Sequence, residues 1–122
     1  MAVESKFVQL QIVSKGRFTL EMPRINAPSS IAQLMQKLPI RARGFVQGTR
    51  LVIPNQLSVR PEHPQTTFSK GEVSVEPSSG NVSIHLQDTE LEKAENLLGK
   101  ISSEFNFEMD TTSVGILIAA ID

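Results

Sequence analysis

Polar and apolar residues alternate along much of this chain, a pattern typical of strands with one buried face. The alternation is clearest in residues 7–22, FVQLQIVSKGRFTLEM, where two alternating runs flank a short turn that contains Gly16. Two such runs joined by a short glycine-containing loop predict a β-hairpin.

Over residues 28–38 the apolar residues change from the alternating spacing of a strand to the spacing of a helix face, which predicts one clear helix. Pro28 suits a first helical position, because its fixed φ is helical and its missing N–H has no helical partner there. Pro39 ends the segment. An apolar stripe with the spacing of one helix face is formed by Ile31, Leu34, Met35 and Leu38. This stripe is expected to pack on the core, because a single helix in a β-rich domain covers a sheet.

The rest of the chain is mostly strand-like, with a loop over 60–71 that contains two prolines. Strands are predicted at 41–53, 57–59, 73–75, 82–86, 98–103, 105–109 and 114–121, and a short helix within 88–98. This element order predicts a mainly β fold, a closed barrel of about eight strands with one clear helix and one short helix, in a single domain over 1–122. A sandwich with a helix on one face is the alternative.

Composition narrows the classes of function. The 122 residues include no cysteine, which excludes disulfides and thiolate chemistry, and no tyrosine or tryptophan for stacking on nucleic-acid bases. No apolar run approaches the roughly 18 residues of a membrane span. The N-terminal residues lack the layout of a signal peptide, so a cytoplasmic location is expected. Neither nucleic acid nor a membrane is an expected partner.

Charge is distributed unevenly along the chain. Residues 1–60 contain nine Lys and Arg against two acids, whereas residues 61–122 contain three Lys against eleven acids. If the halves occupy different surfaces, the dipole could steer an anionic ligand or drive self-association. If the halves interleave in one sheet, their charges pair locally. Both interpretations stay open at this stage.

Few residues offer catalytic chemistry. Motifs for phosphate cradling, dinucleotide binding and a nucleophile elbow are absent. His63 lies in the proline-containing loop and is expected to be solvated, while His85 shares its parity with Ser83 and Gln87 and is expected on the polar face. Neither histidine has a metal-ligand partner at a suitable spacing, so no metal and no cofactor are expected.

Arg50 is the main candidate for a site, because it stands where the apolar run LVI of residues 51–53 begins. An arginine in a strand can lie along apolar neighbours and present its fixed donors to a carbonyl or carboxylate in a groove. The alternative is a surface arginine whose stem covers Val46 or Val52.

Four segments resemble those of the cyclophilin family. Residues 7–22 resemble its opening hairpin and residues 27–40, APSSIAQLMQKLPI, take the place of its first helix. Residues 44–54, GFVQGTRLVIP, resemble the strand with the Phe-His-Arg-hydrophobic-hydrophobic-Pro motif, and Arg50 falls on its arginine. Residues 82–101 resemble a later strand and Thr-Glu segment. The chain is most similar to small archaeal and bacterial cyclophilin-like barrels, which largely lack an assigned activity.

The resemblance implies a role for Arg50. In cyclophilins this arginine donates hydrogen bonds to a prolyl substrate and lowers a rotation barrier of about 18–20 kcal/mol. Other positions depart from the family: residues 55–57 replace its Phe-Met pair, Ser83 its pocket phenylalanine, residues 90–91 its tryptophan and Glu95 its histidine. The resemblance therefore implies an altered proline pocket.

Three functions follow as hypotheses. The first is a cyclophilin-like barrel that binds a peptide segment or a small anionic ligand in a groove beside Arg50, lined by Phe45, Gln47 and Leu57. The second is a peptidyl-prolyl isomerase with a degenerate proline pocket and Arg50 as its catalytic residue. The third is a scaffold that self-assembles through its charge asymmetry, so a homo-oligomer is left open.

Overall fold

The computed structural model of the protein describes residues 4–101 and 112–121. These residues form one helix and nine strands. The helix is α1 (Pro28–Lys37). The strands are β1 (Ser5–Ile12), β2 (Gly16–Pro23), β3 (Ile40–Gln47), β4 (Arg50–Ile53), β5 (Gln65–Phe68), β6 (Glu72–Val75), β7 (Val82–His85), β8 (Thr89–Ile101) and β9 (Ser113–Ala120).

The strands form one antiparallel sheet in the order β2-β1-β9-β3-β4-β7-β6-β8, and a pairing between β2 and β8 joins its two ends into a ring. β5 lies outside this ring and pairs with β8. The ring leaves its eight strands without a free edge, and an unpaired edge would expose unsatisfied backbone groups. The predictions of a mainly β fold and of one clear helix are confirmed.

Alternate side chains of each strand point into the ring and form the hydrophobic core. Leu10, Leu51 and Ile84 are buried there with 1% or less of their surface exposed. Burying an aliphatic side chain of this size stabilises the fold by roughly 1.5–3 kcal/mol. The helix adds Ile31 and Leu34 to this core, and Met35 and Leu38 pack on it partly exposed. The predicted role of the apolar stripe is therefore confirmed.

The predicted short helix within 88–98 is wrong, because these residues belong to the long strand β8. Glu, Leu, Lys and Ala favour helix locally. The hydrogen bonds that β8 makes with β5 and β6 override this preference, which single-residue propensities cannot represent.

Three smaller predictions also fail. The single strand predicted over 41–53 is two strands, β3 and β4, joined by a turn at residues 48–49. Residues 57–59 form no strand, and the predicted loop over 60–71 contains β5. The strand predicted at 105–109 lies outside the described residues. In the part of the chain that the structure describes, no helix is long and apolar enough to cross a membrane.

A second layer covers part of the outer face of the ring. On β4, Leu51 and Ile53 belong to the core, so Arg50 and Val52 face outward by the alternation of a strand. β5 lies beside the first half of β8, and Phe68 of β5 stacks on the ring of His85 in β7. The part of the outer face that this layer covers therefore holds buried residues, such as His85.

Candidate functional site

Arg50 begins β4 and faces the covered outer side of the ring. Its cross-strand neighbours are Gln47 on β3 and His85 on β7. The tight turn between β3 and β4 places Gln47 and Arg50 opposite each other, so both side chains lie on the same face of the sheet. The candidate site is built around this position.

The guanidinium of Arg50 forms an ion pair with the carboxylate of Glu95 on β8. Nη1 of Arg50 donates a hydrogen bond to Oε2 of Glu95 at 2.7 Å. The Glu95 side chain is 3% exposed and the Arg50 side chain is 19% exposed. Within the described residues this is the one hydrogen bond of a group that carries five N–H donors. Arg50 therefore keeps donors for a further acceptor.

A buried chain of hydrogen bonds continues behind this ion pair. Ser74 donates its hydroxyl proton to Oε1 of Glu95 at 2.8 Å, and Ser74 Oγ lies 2.9 Å from Nε2 of His85. Since the hydroxyl proton is directed at the carboxylate, the serine oxygen accepts from His85, and Nε2 carries the histidine proton. This order of donors holds the carboxylate in place and thereby orients Arg50.

This arrangement does not activate a nucleophile. Ser74 is completely buried, and its hydroxyl donates to Glu95 rather than to the imidazole of His85. An activated serine needs a base that takes up its proton and also needs access to substrate. The Ser74, His85 and Glu95 side chains therefore support the position of Arg50 and do not form a hydrolytic triad.

His85 is held in its neutral form. It is completely buried and stacks on Phe68, with ring centroids 4.5 Å apart and an interplanar angle of 5°. Burial, and then the nearby charge of Arg50, lower the pKa of His85 to about 4. Its Nδ1 atom is buried without a hydrogen-bond partner in the described structure. A neutral ring accepts this environment at less cost than a charged one.

The predicted exposure of His85 is wrong, although its parity is right. His85 and Ser83 do share a face of β7, as the alternation predicts. Phe68 of β5 stacks on His85 from another layer, and both His85 and Ser83 are buried. His63, in contrast, is exposed in its loop as predicted.

A cavity of about 240 Å³ adjoins Arg50, and we call it the Arg50 cavity. Its wall consists of Phe45, Gln47, Arg50, Val52, Glu76, Ser79, Asn81 and Ser83. The structure therefore brings together three of the four side chains that the sequence assigned to a groove, namely Phe45, Gln47 and Arg50.

Leu57, the fourth predicted lining residue, lies elsewhere. It is 3% exposed and belongs to the hydrophobic core. Its backbone N–H donates to the carbonyl oxygen of Gly80 at 3.0 Å. After β4 the chain leaves the sheet, so counting along the strand no longer predicts the face on which Leu57 lies.

The charges around the Arg50 cavity are balanced. Glu95 compensates Arg50, and a second carboxylate, that of Glu76, lines the cavity. A hydrogen bond from the Ser78 hydroxyl, aided by Ser79 and by the charges of Arg50 and Lys93, keeps the pKa of Glu76 below its ordinary value despite partial burial. The cavity therefore presents both donors and acceptors, and it has no excess positive charge to attract an anion.

Sequence reasoning missed the residues that support Arg50. The sequence predicts a helix at Glu95, which lies on β8, and Ser74 has no distinguishing neighbour along the chain. The available signal was the resemblance, which places Glu95 at the histidine position of the cyclophilin site. Among the described residues, no group of three or more histidine, aspartate or glutamate side chains could hold a metal ion.

Comparison with known proteins supports the architecture. No protein-family model and no curated protein sequence matches this chain. The solution structure of the hypothetical protein AF2241 from Archaeoglobus fulgidus is similar, with a TM-score of 0.77 and 14% identity over 98% of both chains. The structure of McbB in complex with tryptophan has a TM-score of 0.71 and 12% identity. The match covers 93% of this chain but 44% of McbB, and at these identities the similarity shows the fold alone.

Proposed function

We propose that this protein is a single-domain, cyclophilin-like closed barrel that binds an extended peptide segment in the Arg50 cavity. The observation that carries the proposal is the guanidinium of Arg50, which is fixed by the buried Glu95 carboxylate yet lines a cavity with donors still unused. A donor held in advance loses little conformational entropy when a ligand binds.

The cavity wall matches the alternation of groups along a peptide backbone. Arg50 can donate to a peptide carbonyl, and the carboxylate of Glu76 can accept from a peptide N–H. Phe45, which is 39% exposed, offers an apolar surface for a side chain. A volume of about 240 Å³ lies below the roughly 300–1,000 Å³ of pockets that enclose a whole small molecule. The cavity therefore suits one or two residues of a longer chain.

Peptide is favoured over a small anion at this position. A free anion beside Arg50 would meet the carboxylates of Glu95 and Glu76, and like charges at short range repel. A peptide backbone is neutral and avoids this repulsion.

Prolyl isomerisation remains the alternative activity because the sequence resemblance places Arg50 at the position of the cyclophilin arginine. The cavity wall is mainly polar, with Glu76, Ser79, Asn81 and Ser83 around Phe45 and Val52. Proline binding in such a cavity is expected to be weak, since it lacks a broad apolar floor. The cytoplasmic location, the absence of a cofactor and the self-assembling scaffold stay predictions from the sequence.

The binding experiment is an NMR titration with two pools of acetylated and amidated pentapeptides, one with proline and one with alanine at the central position. Binding in the Arg50 cavity is expected to shift the amide resonances of Gln47, Glu76 and Asn81. Phe45→Ala should weaken binding about tenfold, which corresponds to the loss of an apolar contact of about 1.4 kcal/mol. Phe7→Ala is the matched control, because Phe7 is 46% exposed on β1.

Two outcomes separate the hypotheses. If Phe45→Ala and Phe7→Ala bind equally, or if neither pool shifts the cavity resonances, peptide binding at this cavity is wrong. A protease-coupled assay with a proline peptide tests the alternative, with Arg50→Met/Glu95→Gln as the variant because it removes both charges of the ion pair together. Turnover that exceeds buffer and is lost in this double variant would identify an isomerase that depends on the Arg50–Glu95 pair.

A further inference from the structure

Two arginines lie side by side on the outer face of β3, away from the Arg50 cavity. Arg41 and Arg43 are both exposed and alternate with the less exposed Ala42. Residues two apart on a strand are separated by about 7 Å, so both guanidiniums can reach one group between them. On the neighbouring strand β9, their register partners are Leu117 and Gly115.

A hollow of about 510 Å³ opens beside this pair, and we call it the Arg41–Arg43 hollow. It is lined by Gln11, Val13, Arg41, Ala42, Arg43, Gly115, Ile116 and Leu117. Gly115 keeps the floor open opposite Arg43, since a side chain there would begin 3.1 Å from Cγ2 of Val13. The volume falls within the roughly 300–1,000 Å³ of small-molecule sites.

Among the described residues, no carboxylate compensates the charge of this hollow, unlike that of the Arg50 cavity. None of its lining residues is acidic. Arg41 and Arg43 make no ion pair within residues 4–101 and 112–121, and neither does Arg17 on the same face. The strand register places Arg17 beside Gln11, Gln11 beside Leu117 and Leu117 beside Arg41. Arg17 is therefore three strands from Arg41, a distance of about 14 Å.

We infer that the Arg41–Arg43 hollow binds a small phosphorylated molecule. Two adjacent guanidiniums present planar forks of donors that match the oxygens of a phosphate group, and such charge-assisted hydrogen bonds are stronger than neutral ones. The apolar surfaces of Val13 and Leu117 and the amide of Gln11 then face the organic part of the ligand. Under the two proposals, Arg50 binds a neutral peptide and the Arg41–Arg43 hollow binds the anion.

The test is an NMR titration of the folded protein at fixed ionic strength with three probes: glucose 6-phosphate, inorganic phosphate and glucose. Glucose 6-phosphate is expected to shift the resonances of Arg43, Gly115 and Leu117 and to bind several-fold more tightly than inorganic phosphate. Glucose should not bind. Equal affinities of the two phosphates would show an anion site without a place for an organic part, and would overturn the proposed ligand class.

Three variants separate a shaped site from diffuse positive charge. Arg41→Gln and Arg43→Gln should each weaken glucose 6-phosphate binding about tenfold. Gly115→Ala keeps every charge but fills the floor, and it should weaken binding at least threefold. Arg60→Gln, which removes an exposed arginine lining a different hollow, is the matched control and should leave affinity unchanged.

The proposal is overturned if Arg60→Gln weakens binding as much as Arg43→Gln, or if a folded Gly115→Ala binds like the parent protein. Arg41 and Arg43 are exposed, so their variants retain the core and decide the question even if Gly115→Ala fails to fold. The outcome is independent of the peptide titration, because Phe45→Ala changes neither arginine.

Discussion

Arg50 and Glu95 are 45 residues apart in the chain, yet Nη1 of one lies 2.7 Å from Oε2 of the other. The ion pair joins the ring strand β4 to the strand β8, which forms part of the covering layer. An isolated charge is costly to bury, so each partner makes the burial of the other tolerable. The pair therefore contributes both to the packing of the two layers and to the orientation of Arg50.

Removing one partner of this pair should destabilise the fold strongly. Glu95→Ala leaves Arg50 without its counter-charge and Ser74 without its acceptor, and we expect a loss of about 3 kcal/mol in the free energy of unfolding. Urea denaturation followed by circular dichroism measures it. Arg50→Met/Glu95→Leu, which removes both charges, should lose less than Glu95→Ala.

The exposed pair between Glu4 and Arg24 provides the control for this prediction. Their side chains are 59% and 53% exposed, and such surface ion pairs contribute little to stability. Glu4→Ala should therefore change the urea midpoint only slightly. If Glu4→Ala and Glu95→Ala were equally destabilising, the buried pair would have no special role in the packing.

His85 should make the fold less stable as the pH falls from about 6.5 to about 4. Its pKa is about 4 in the folded protein, below the ordinary 6.5, so the unfolded chain takes up the proton first. The free energy of unfolding that neutral His85 contributes at pH 7 is therefore lost as the pH falls through this window, by about 3 kcal/mol at most. Between pH 7 and pH 5, the slope of unfolding free energy against pH should be smaller in His85→Gln. A parental slope in His85→Gln would contradict this assignment.

Glu62 should contribute to stability by capping the start of α1. Ala27, the residue before the helix, offers no capping side chain. Glu62 instead accepts hydrogen bonds from the backbone N–H groups of Ser29 and Ser30, at 2.8 and 2.9 Å, and from the Ser30 hydroxyl. Glu62→Ala should therefore cost about 1–2 kcal/mol in urea denaturation, the range of a lost helix cap. Glu92→Ala, at an exposed position of β8, should cost much less.

The same cap should weaken in acid. Partial burial raises the pKa of Glu62, but the hydrogen bonds from Ser30 and Ser29 outweigh it and hold the pKa below 4.5. The contribution is therefore present above pH 4.5 and is lost as the pH falls below it. If the free energies of unfolding of the parent protein and of Glu62→Ala differed by the same amount at pH 7 and at pH 3, this prediction would be contradicted.

Replacing Gly80 should destabilise the fold more than replacing Gly48. The φ of Gly80 is +74°, and an added methyl group would collide with the backbone of Leu57. Gly48 has a φ of +63° but open space around it. Gly48→Ala should cost about 1 kcal/mol for the left-handed backbone alone, whereas Gly80→Ala should cost at least about 3 kcal/mol. Thermal unfolding of both variants measures the difference, and equal losses would contradict the packing of Leu57.

Local pattern was sufficient for elements that form between neighbours in the chain. The hairpin over 7–22 and the helix from Pro28 were predicted because their alternation and their stripe depend on nearby residues. The face that Phe45, Gln47 and Arg50 share was not predictable in this way. Parity along the single strand predicted over 41–53 puts Arg50 opposite Phe45 and Gln47, and only the turn between β3 and β4 brings Arg50 onto their face.

Local pattern failed where distant strands decide the outcome. Residues 88–98 have helix-favouring composition, but β5 and β6 offer them backbone partners that a strand alone can use. His85 has the parity of a polar face, but Phe68 and Glu95 cover that face from another layer. Leu57 follows the end of a strand, where parity no longer carries information.

By itself, the amino-acid sequence determined the mainly β class, the first hairpin and the position of the helix, because each depends on periodicity within a few residues. The tertiary structure decided that the ring closes through β2 and β8, that Glu95 compensates Arg50, and that Arg41 and Arg43 are left without a carboxylate among the described residues. Burial and charge pairing are properties of groups that meet in space, and the contacts that set them join residues far apart in the chain.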